Sequence, residues 1–288
     1  MSTYKISPLD AEILLSHTLR KSKEFLFTHT EKKLTKTQTE KMKSLFARRS
    51  GGEPIAYITS QKEFYGLDFF VDKNVLIPRP ETEIMTEKIL NRIRDTGYEI
   101  RDTNIIDIGT GSGNIIISIA KNIPDKIFQK FSFYGVDISK KSLQTAKKNA
   151  RKNNVGGKIK FIRSDLLEYF IKHKKIFGKN NCIIAANLPY VSPSLYKKYS
   201  AGLYHEPKTA LISKMNGLGH YIRLFSEIKN IIQIANCRSL ISLFIEISPE
   251  QKKPISRLIS GKFPGAKINF HKDFAGKNRI AEISFVGS

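Results

Sequence analysis

The sequence predicts an α/β protein: a doubly wound, mostly parallel sheet preceded by a small helical domain, with a β-hairpin joining the two. Three observations predict it. From about residue 104, apolar strand-like runs alternate with helical stretches. The first 50 residues carry apolar side chains at helical spacing. Between them, Glu63-Phe64-Tyr65-Gly66-Leu67-Asp68-Phe69-Phe70-Val71 is rich in aromatics around a central glycine. At 288 residues the chain exceeds the usual size of one domain, and 40% apolar composition is enough to bury a full core.

In chain order, Ser7-Pro8-Leu9-Asp10 offers an N-cap, a proline at the first helical position and an acid in the first turn; Ala11, Leu14, Leu15 and Leu19 then recur at helical spacing. Thr37-Gln38-Thr39-Glu40 has capping-box spacing, followed by Met42, Leu45 and Phe46 on one face. Gly51-Gly52-Glu53-Pro54 breaks the pattern, and the hairpin follows. Pro78-Arg79-Pro80-Glu81-Thr82-Glu83 opens another helix, its acids placed where the positive N-terminal end favours them. Strands are predicted over 104–108, 132–136, 158–162, 182–186, 240–247, 266–270 and 279–286, with helices notably over 114–121 and 139–152. The expected division is 1–60 for a helical recognition domain, 61–78 for the hairpin linker and 79–288 for the sheet domain. Ligands of such a sheet bind at the carboxyl ends of its strands.

The net charge of +23 suits a polyanionic neighbour such as the ribosome. The lysine pairs at 32–33, 140–141, 147–148, 174–175 and 197–198 are dispersed, however, and few have aromatic neighbours that could stack on bases, so charge does not decide function. Cys182 and Cys237 lie in apolar segments without metal-ligand spacing and read as reduced core residues, so no metal is expected. With no run of about 18 apolar residues and no leader pattern, neither a membrane span nor a signal peptide is expected; the expectation is a cytoplasmic monomer.

The segment Ile105 to Ala120 reads as a strand, a glycine loop and a helix. Gly109, Gly111 and Gly113, with Thr110 and Ser112 between them, allow a sharp turn and close approach of a ligand. The dinucleotide fingerprint would need its third glycine or alanine where Asn114 stands, so that pattern fails. Three successive strands end in acids: Asp107, Asp137 and Asp165. A carboxylate at Asp137 can accept hydrogen bonds from both hydroxyls of a ribose, which points to an adenosine-bearing cofactor, with Asp165 placed where the adenine would lie.

The spacing Asp-x-Gly-x-Gly-x-Gly over 107–113 resembles that of the S-adenosylmethionine-dependent methyltransferases, whose seven-stranded Rossmann-like sheet the resemblance extends over residues 104–286. In that family Asn-Pro-Pro-Tyr after the fourth strand marks enzymes that methylate an amino nitrogen attached to a planar, conjugated centre. Here the motif reads Asn187-Leu188-Pro189-Tyr190. By this resemblance Asn187 supplies a side-chain oxygen and Leu188 a main-chain carbonyl as acceptors for the two N–H groups of the substrate. Pro189 fixes the chain so that the Leu188 carbonyl points consistently, and Tyr190 offers a flat face. Leu188 in place of the first proline is also the form of the ribosomal RNA adenine dimethyltransferases, which makes adenine methylation of ribosomal RNA the alternative.

Segments outside the cofactor domain discriminate. Gly52 to Glu83, Tyr204 to Phe225, Phe244 to Gln251 and Lys272 to Ile283 resemble the release factor glutamine methyltransferases (the HemK or PrmC family), and about 100 residues precede the sheet rather than follow it. This resemblance implies S-adenosylmethionine as cofactor and peptide chain release factors as substrate, methylated at the glutamine of their Gly-Gly-Gln loop. It also implies cofactor contacts from 109–113, Asp137, Leu166 and Asn187. Leu166 stands where many relatives carry tryptophan, and would pack on adenine with less area.

Overall fold

The computed structural model describes residues 5–95, 102–173, 176–177, 180–234 and 240–286. The chain opens with α1 (Pro8–Leu19), where Ser7 Oγ accepts the Asp10 N–H at 3.1 Å, followed by α2 (Lys23–Thr28) and α3 (Lys36–Ser50). The capping box of α3 sits on Thr35, two residues before the predicted one: Thr35 Oγ1 accepts from Gln38 N at 3.2 Å and Gln38 Oε1 accepts from Thr35 N at 2.9 Å. The reason is conformational. Thr35 is the last extended residue (ψ 163°) and can turn its hydroxyl onto the first turn, whereas Thr37 is already inside the helix. With α4 (Ile55–Thr59) these helices bury a small cluster of their own: Leu14, Met42, Leu45 and Ile58.

The hairpin pairs β1 (Gln61–Phe64) with β2 (Leu67–Phe70) across Tyr65-Gly66, both at positive φ (52° and 71°), the backbone of a tight hairpin turn. Phe64 and Phe69 are fully buried, in the same apolar cluster as Met85 and Ile89 of α5 (Pro80–Asp95). Glu83, in the first turn of α5, accepts the Tyr65 N–H at 3.1 Å and so fastens the hairpin tip to the helix start.

The sheet is built by β3 (Thr103–Ile108), α6 (Asn114–Asn122), α7 (Asp125–Phe128), β4 (Phe131–Asp137), α8 (Lys140–Lys152), β5 (Ile159–Arg163), α9 (Glu168–Lys172), β6 (Asn181–Ala186), α10 (Pro193–Leu203), α11 (Gly219–Ile234), β7 (Leu240–Glu246), α12 (Lys252–Lys262), β8 (Lys267–Lys272) and β9 (Asn278–Val286). Seven strands lie in the order β5-β4-β3-β6-β7-β9-β8, parallel from β5 to β7, with β9 antiparallel to both neighbours. All seven predicted strands are present, shifted by at most two residues at either end. Ile106, Ile108, Ile184 and Ala186 belong to one core cluster and Ile105, Ile183 and Ala185 to the other, so both faces are covered by helices and the strands read as continuous apolar runs. The chain leaves β3 for β4 on one side and returns to β6 on the other, which opens a crevice between the ends of β3 and β6.

Cys182 is buried, its Sγ donating to the Asn180 carbonyl at 3.7 Å; Cys237, Lys174 and Lys175 lie outside the described residues. Among the described residues no helix is long and apolar enough to cross a membrane, and no His, Cys, Asp and Glu cluster could hold a metal.

Candidate active site

Register sets the site. Ile108 of β3 pairs with Ala186 of β6, and Ala186 with Ile245 of β7. The next residue on each strand therefore falls into one row along the carboxyl edge of the sheet: Gly109, Asn187, Glu246. Gly109 begins the glycine loop, with φ +72°, and a Cβ there would stand 3.1 Å from Leu188 Cδ2. The loop can pass this close to the Asn187-to-Tyr190 segment because it has no side chain at that point.

A cleft opens above this row. Gly109, Thr110, Gly111, Ser112, Asp137, Asp165, Leu166, Asn187, Leu188 and Pro189 all line it, together with Leu76 to Arg79, Thr82, His220 and Arg223. Most of the residues expected at the site therefore line it. Two expected residues do not line it. Gly113 caps α6 from behind the loop, where a Cβ would meet Ile117 Cδ1 at 2.7 Å and Ala146 Cβ at 3.2 Å; its lack of a side chain lets α6 and α8 close together. Tyr190 turns its hydroxyl to Glu246, 2.9 Å from Oε1.

The acids at the strand ends differ. Asp137 accepts the Gly111 N–H at 3.0 Å on one oxygen and the Ser139 N–H at 2.8 Å on the other, which fixes its carboxylate at the cleft wall with lone pairs to spare. Burial pushes its carboxyl up against these two N–H groups. Asp107 is fully buried beneath the loop, accepts the Thr110 hydroxyl at 2.6 Å, and is pushed up by burial to about 7. Asp165 lies in the cleft wall and pairs with Arg223 at 3.0 Å. Leu166 follows in the left-handed region (φ 44°), unusual for a branched residue, and is buried at the cleft floor.

Asn187 is held from behind. Its Nδ2 donates to Glu246 Oε2 at 2.9 Å and to Thr82 Oγ1 at 3.1 Å, while the Thr82 hydroxyl donates to Glu246 Oε2 at 2.6 Å. No donor among the described residues reaches Asn187 Oδ1 or the Leu188 carbonyl. Tyr221, fully buried on α11, donates its hydroxyl to the Glu246 carbonyl and takes the Leu188 N–H, steadying the peptide between Asn187 and Pro189. Arg79 is committed elsewhere: its guanidinium lies 2.5 Å from Glu206, a buried carboxylate that also accepts the Ile77 N–H at 3.2 Å. That pair holds the segment between the hairpin and α5 against the cleft.

Sequence reasoning did not single out Glu246, Thr82, Glu206 or Asn149. The signal for Glu246 was a lone acid closing the apolar run of β7; Thr82 lay unremarked in the first turn of α5, 164 positions from its partner.

A seven-stranded sheet of this order, with a glycine loop after β3 and an acid closing β4, defines an S-adenosylmethionine-dependent methyltransferase. The fold of the hMettl16 catalytic domain in complex with MAT2A 3′UTR hairpin 6 is similar, with a TM-score of 0.56 at 16% identity over 85% of this chain and 82% of that one. The PrmC N-terminal domain family matches residues 3–59, and the Methyltransferase domain family matches residues 100–213. The release factor glutamine methyltransferase of Buchnera aphidicola subsp. Acyrthosiphon pisum is 34% identical over 97% of this chain and 94% of its own length. That of Bacillus subtilis is 33% identical over 93% and 88%. The chain belongs to the release factor glutamine methyltransferase family.

Proposed function

We propose that the protein transfers the methyl group of S-adenosylmethionine to the side-chain amide nitrogen of the glutamine in the Gly-Gly-Gln motif of peptide chain release factors, with Asn187 and Leu188 gripping that amide. The observation that carries the reading is the register that sets the Asn187 carboxamide beside Gly109, at the lip of the glycine-loop cleft.

The residues present fit the cofactor. The open space at Gly111, where a Cβ would meet only the Gly109 carbonyl at 3.8 Å, supports a ligand lying against the loop, and the Asp137 carboxylate is the acceptor a ribose needs. Gly109, Thr110, Gly111 and Ser112 would form the bed, with Gly113 behind it closing α6 on α8; Asp137 would take the ribose hydroxyls, and Asp165 and Leu166 would border the adenine. When bound, S-adenosylmethionine supplies an electrophilic methyl group on a sulfonium.

The chain's own part is positioning. An amide nitrogen is a poor nucleophile because its lone pair is delocalised into the carbonyl, so the protein must hold both N–H groups and aim the nitrogen. Asn187 Oδ1 and the Leu188 carbonyl are the two acceptors, Pro189 fixes the direction of the second, and Tyr190 walls the substrate side. The nitrogen loses its proton after transfer, so no general base is needed beforehand.

We divide the chain into a helical domain over 1–60 that recognises the release factor, a hairpin linker over 61–78 and a catalytic domain over 79–288; the separate cluster of Leu14, Met42, Leu45 and Ile58 supports the first boundary. We take the protein to act as a monomer. The net charge of +23 supports work near the ribosome, and because translation termination is cytoplasmic, that is the proposed place of action. Adenine methylation of ribosomal RNA is not favoured, since the relatives similar over nearly the whole chain are release factor glutamine methyltransferases.

The test is mass spectrometry of a release-factor tryptic peptide before and after incubation with enzyme and cofactor. The glutamine should gain one methyl group. Methylation that persists when this glutamine is replaced by alanine, or that appears only on naked ribosomal RNA, would overturn the assignment.

A further inference from the structure

Glu246 is 2% exposed, and among the described residues no cation pairs with it. A buried, unpaired carboxylate is costly, and a neutral residue would close β7 at less expense. Burial pushes its carboxyl up, with Glu81 adding repulsion, while the hydroxyls of Thr82 and Tyr190 and the more distant Arg279 oppose this. Three donors nevertheless converge on its two oxygens: the Thr82 hydroxyl, Asn187 Nδ2 and the Tyr190 hydroxyl. Thr82 also accepts from Asn187, so its own proton is committed to Glu246. This set is complete for a carboxylate, which accepts and never donates.

A one-way acceptor supplies something a neutral residue would not. A carboxamide is nearly symmetric in shape, and a flip about its last torsion exchanges oxygen for NH₂ at almost no steric cost. Flipped, Asn187 would set its oxygen against Glu246 Oε2 with no proton between them. Glu246 therefore forces the NH₂ inward, and the oxygen must face the cleft.

Resting on the reading above that Asn187 meets the substrate amide, we infer that Glu246 is a positioning residue: by fixing the amide orientation of Asn187 it selects a substrate side chain that brings N–H and rejects the isosteric carboxylate. Glutamate matches glutamine in shape but lacks that N–H and carries a negative charge. A glutamine donates to Asn187 Oδ1; a glutamate would set oxygen against oxygen and leave both unpaired.

The test compares wild type with Glu246→Gln, whose side chain keeps the shape but both donates and accepts, so that Asn187 is free to flip. Competition by a release factor carrying glutamate in place of the target glutamine measures the selection. In the wild type the glutamate form should bind at least about 100-fold more weakly than the glutamine form. In Glu246→Gln that ratio should shrink about tenfold or more, with kcat falling more than KM rises, while Glu246→Asp, still acceptor-only, should keep most of the ratio. A Glu246→Gln protein with the wild-type ratio and kcat overturns the inference.

A second measurement needs no Glu246 variant. In ¹⁵N-asparagine-labelled wild type, the Asn187 NH₂ signals, assigned by their loss in Asn187→Ala, should be protected from solvent exchange. Signals exchanging like those of free asparagine overturn the inference. A wild type that does not methylate release factor defeats the proposed function instead, and the NH₂ measurement still decides the orientation.

Discussion

Asn149 and Phe70 exchange two hydrogen bonds, the Phe70 N–H donating to Asn149 Oδ1 at 2.7 Å and Asn149 Nδ2 donating to the Phe70 carbonyl at 2.9 Å. The side chain thus pairs with the end of β2 as a neighbouring strand would. The same Nδ2 reaches the Ser112 carbonyl at 2.8 Å, so one fully buried amide on α8 ties the hairpin to the glycine loop. Asn149→Ala leaves three main-chain groups unpaired, the Ser112 carbonyl fully out of water and the two of Phe70 partly so, and is expected to cost about 2–4 kcal/mol of stability. Urea unfolding gives the number, and calorimetry should show weaker S-adenosylmethionine binding because the loop loses its anchor. An unchanged unfolding midpoint would rule out this tie.

Gly113→Ala is expected to destabilise by about 1–3 kcal/mol, since the residue is at φ +81° and the new methyl would stand 2.7 Å from Ile117 Cδ1 and 3.2 Å from Ala146 Cβ. Ile117 can swing its methyl aside, but the neighbouring helix cannot follow as easily. Gly157→Ala, with nothing within 4 Å, is the matched control and should change stability by less than about 0.5 kcal/mol. Equal thermal shifts for the two variants would show that the packing of α6 on α8 does not depend on the missing side chain.

What could be read from the sequence follows physical range. The strands were legible because both sheet faces are buried, so each strand announces itself as an apolar run, as in Ile105 to Ile108. The glycine loop and the acid of Asp137 were legible because the groups that need each other are consecutive along the chain or separated by one βα unit. Glu246, Thr82 and Asn149 were not, because their meaning lies in partners 37 to 164 positions away that only strand order and register bring together. The capping box of α3 was misplaced by two residues because Thr35 and Thr37 differ in backbone conformation, which spacing does not reveal.

Asn187→Ala removes one of the two proposed acceptors and leaves Glu246 facing the cleft without its carboxamide cover. Turnover is expected to fall on the order of 100-fold or more, the size of losing one preorganised hydrogen-bonding group at a reacting centre. Cofactor binding should change far less, because the Asp137 contacts and most of the loop are untouched. Steady-state kinetics beside calorimetry separate the two; a variant with near-normal kcat would remove Asn187 from the grip.

Asp107 makes a prediction about pH whose sign is opposite to that of an ordinary paired carboxylate. Its folded value is pushed up by burial to about 7, although the Thr110 hydroxyl and the Ile116 N–H pull it down; the nearby Asp137 adds to the rise. The folded protein therefore holds this proton more tightly than the unfolded chain, whose aspartate has an ordinary value of 3.8. The stability it contributes is complete below that ordinary value and is lost as pH rises toward 7, at no more than about 1.4 kcal/mol per pH unit for a single proton. Above that range the contribution is flat. Burial also raises Asp137, Glu227 and Glu246, and the His271 contact lowers Glu282, so the wild-type curve alone does not isolate Asp107. The difference between wild type and Asp107→Asn does, because the variant lacks the proton but keeps an oxygen for Thr110. Urea unfolding of both proteins from pH 4.5 to 8 should show the variant gaining on the wild type as pH rises, whichever is the more stable at the start. Parallel curves over that range would mean that the carboxyl beneath the glycine loop titrates alike in the folded and unfolded chain, and that burial there is relieved by a contact stronger than the hydroxyl of Thr110.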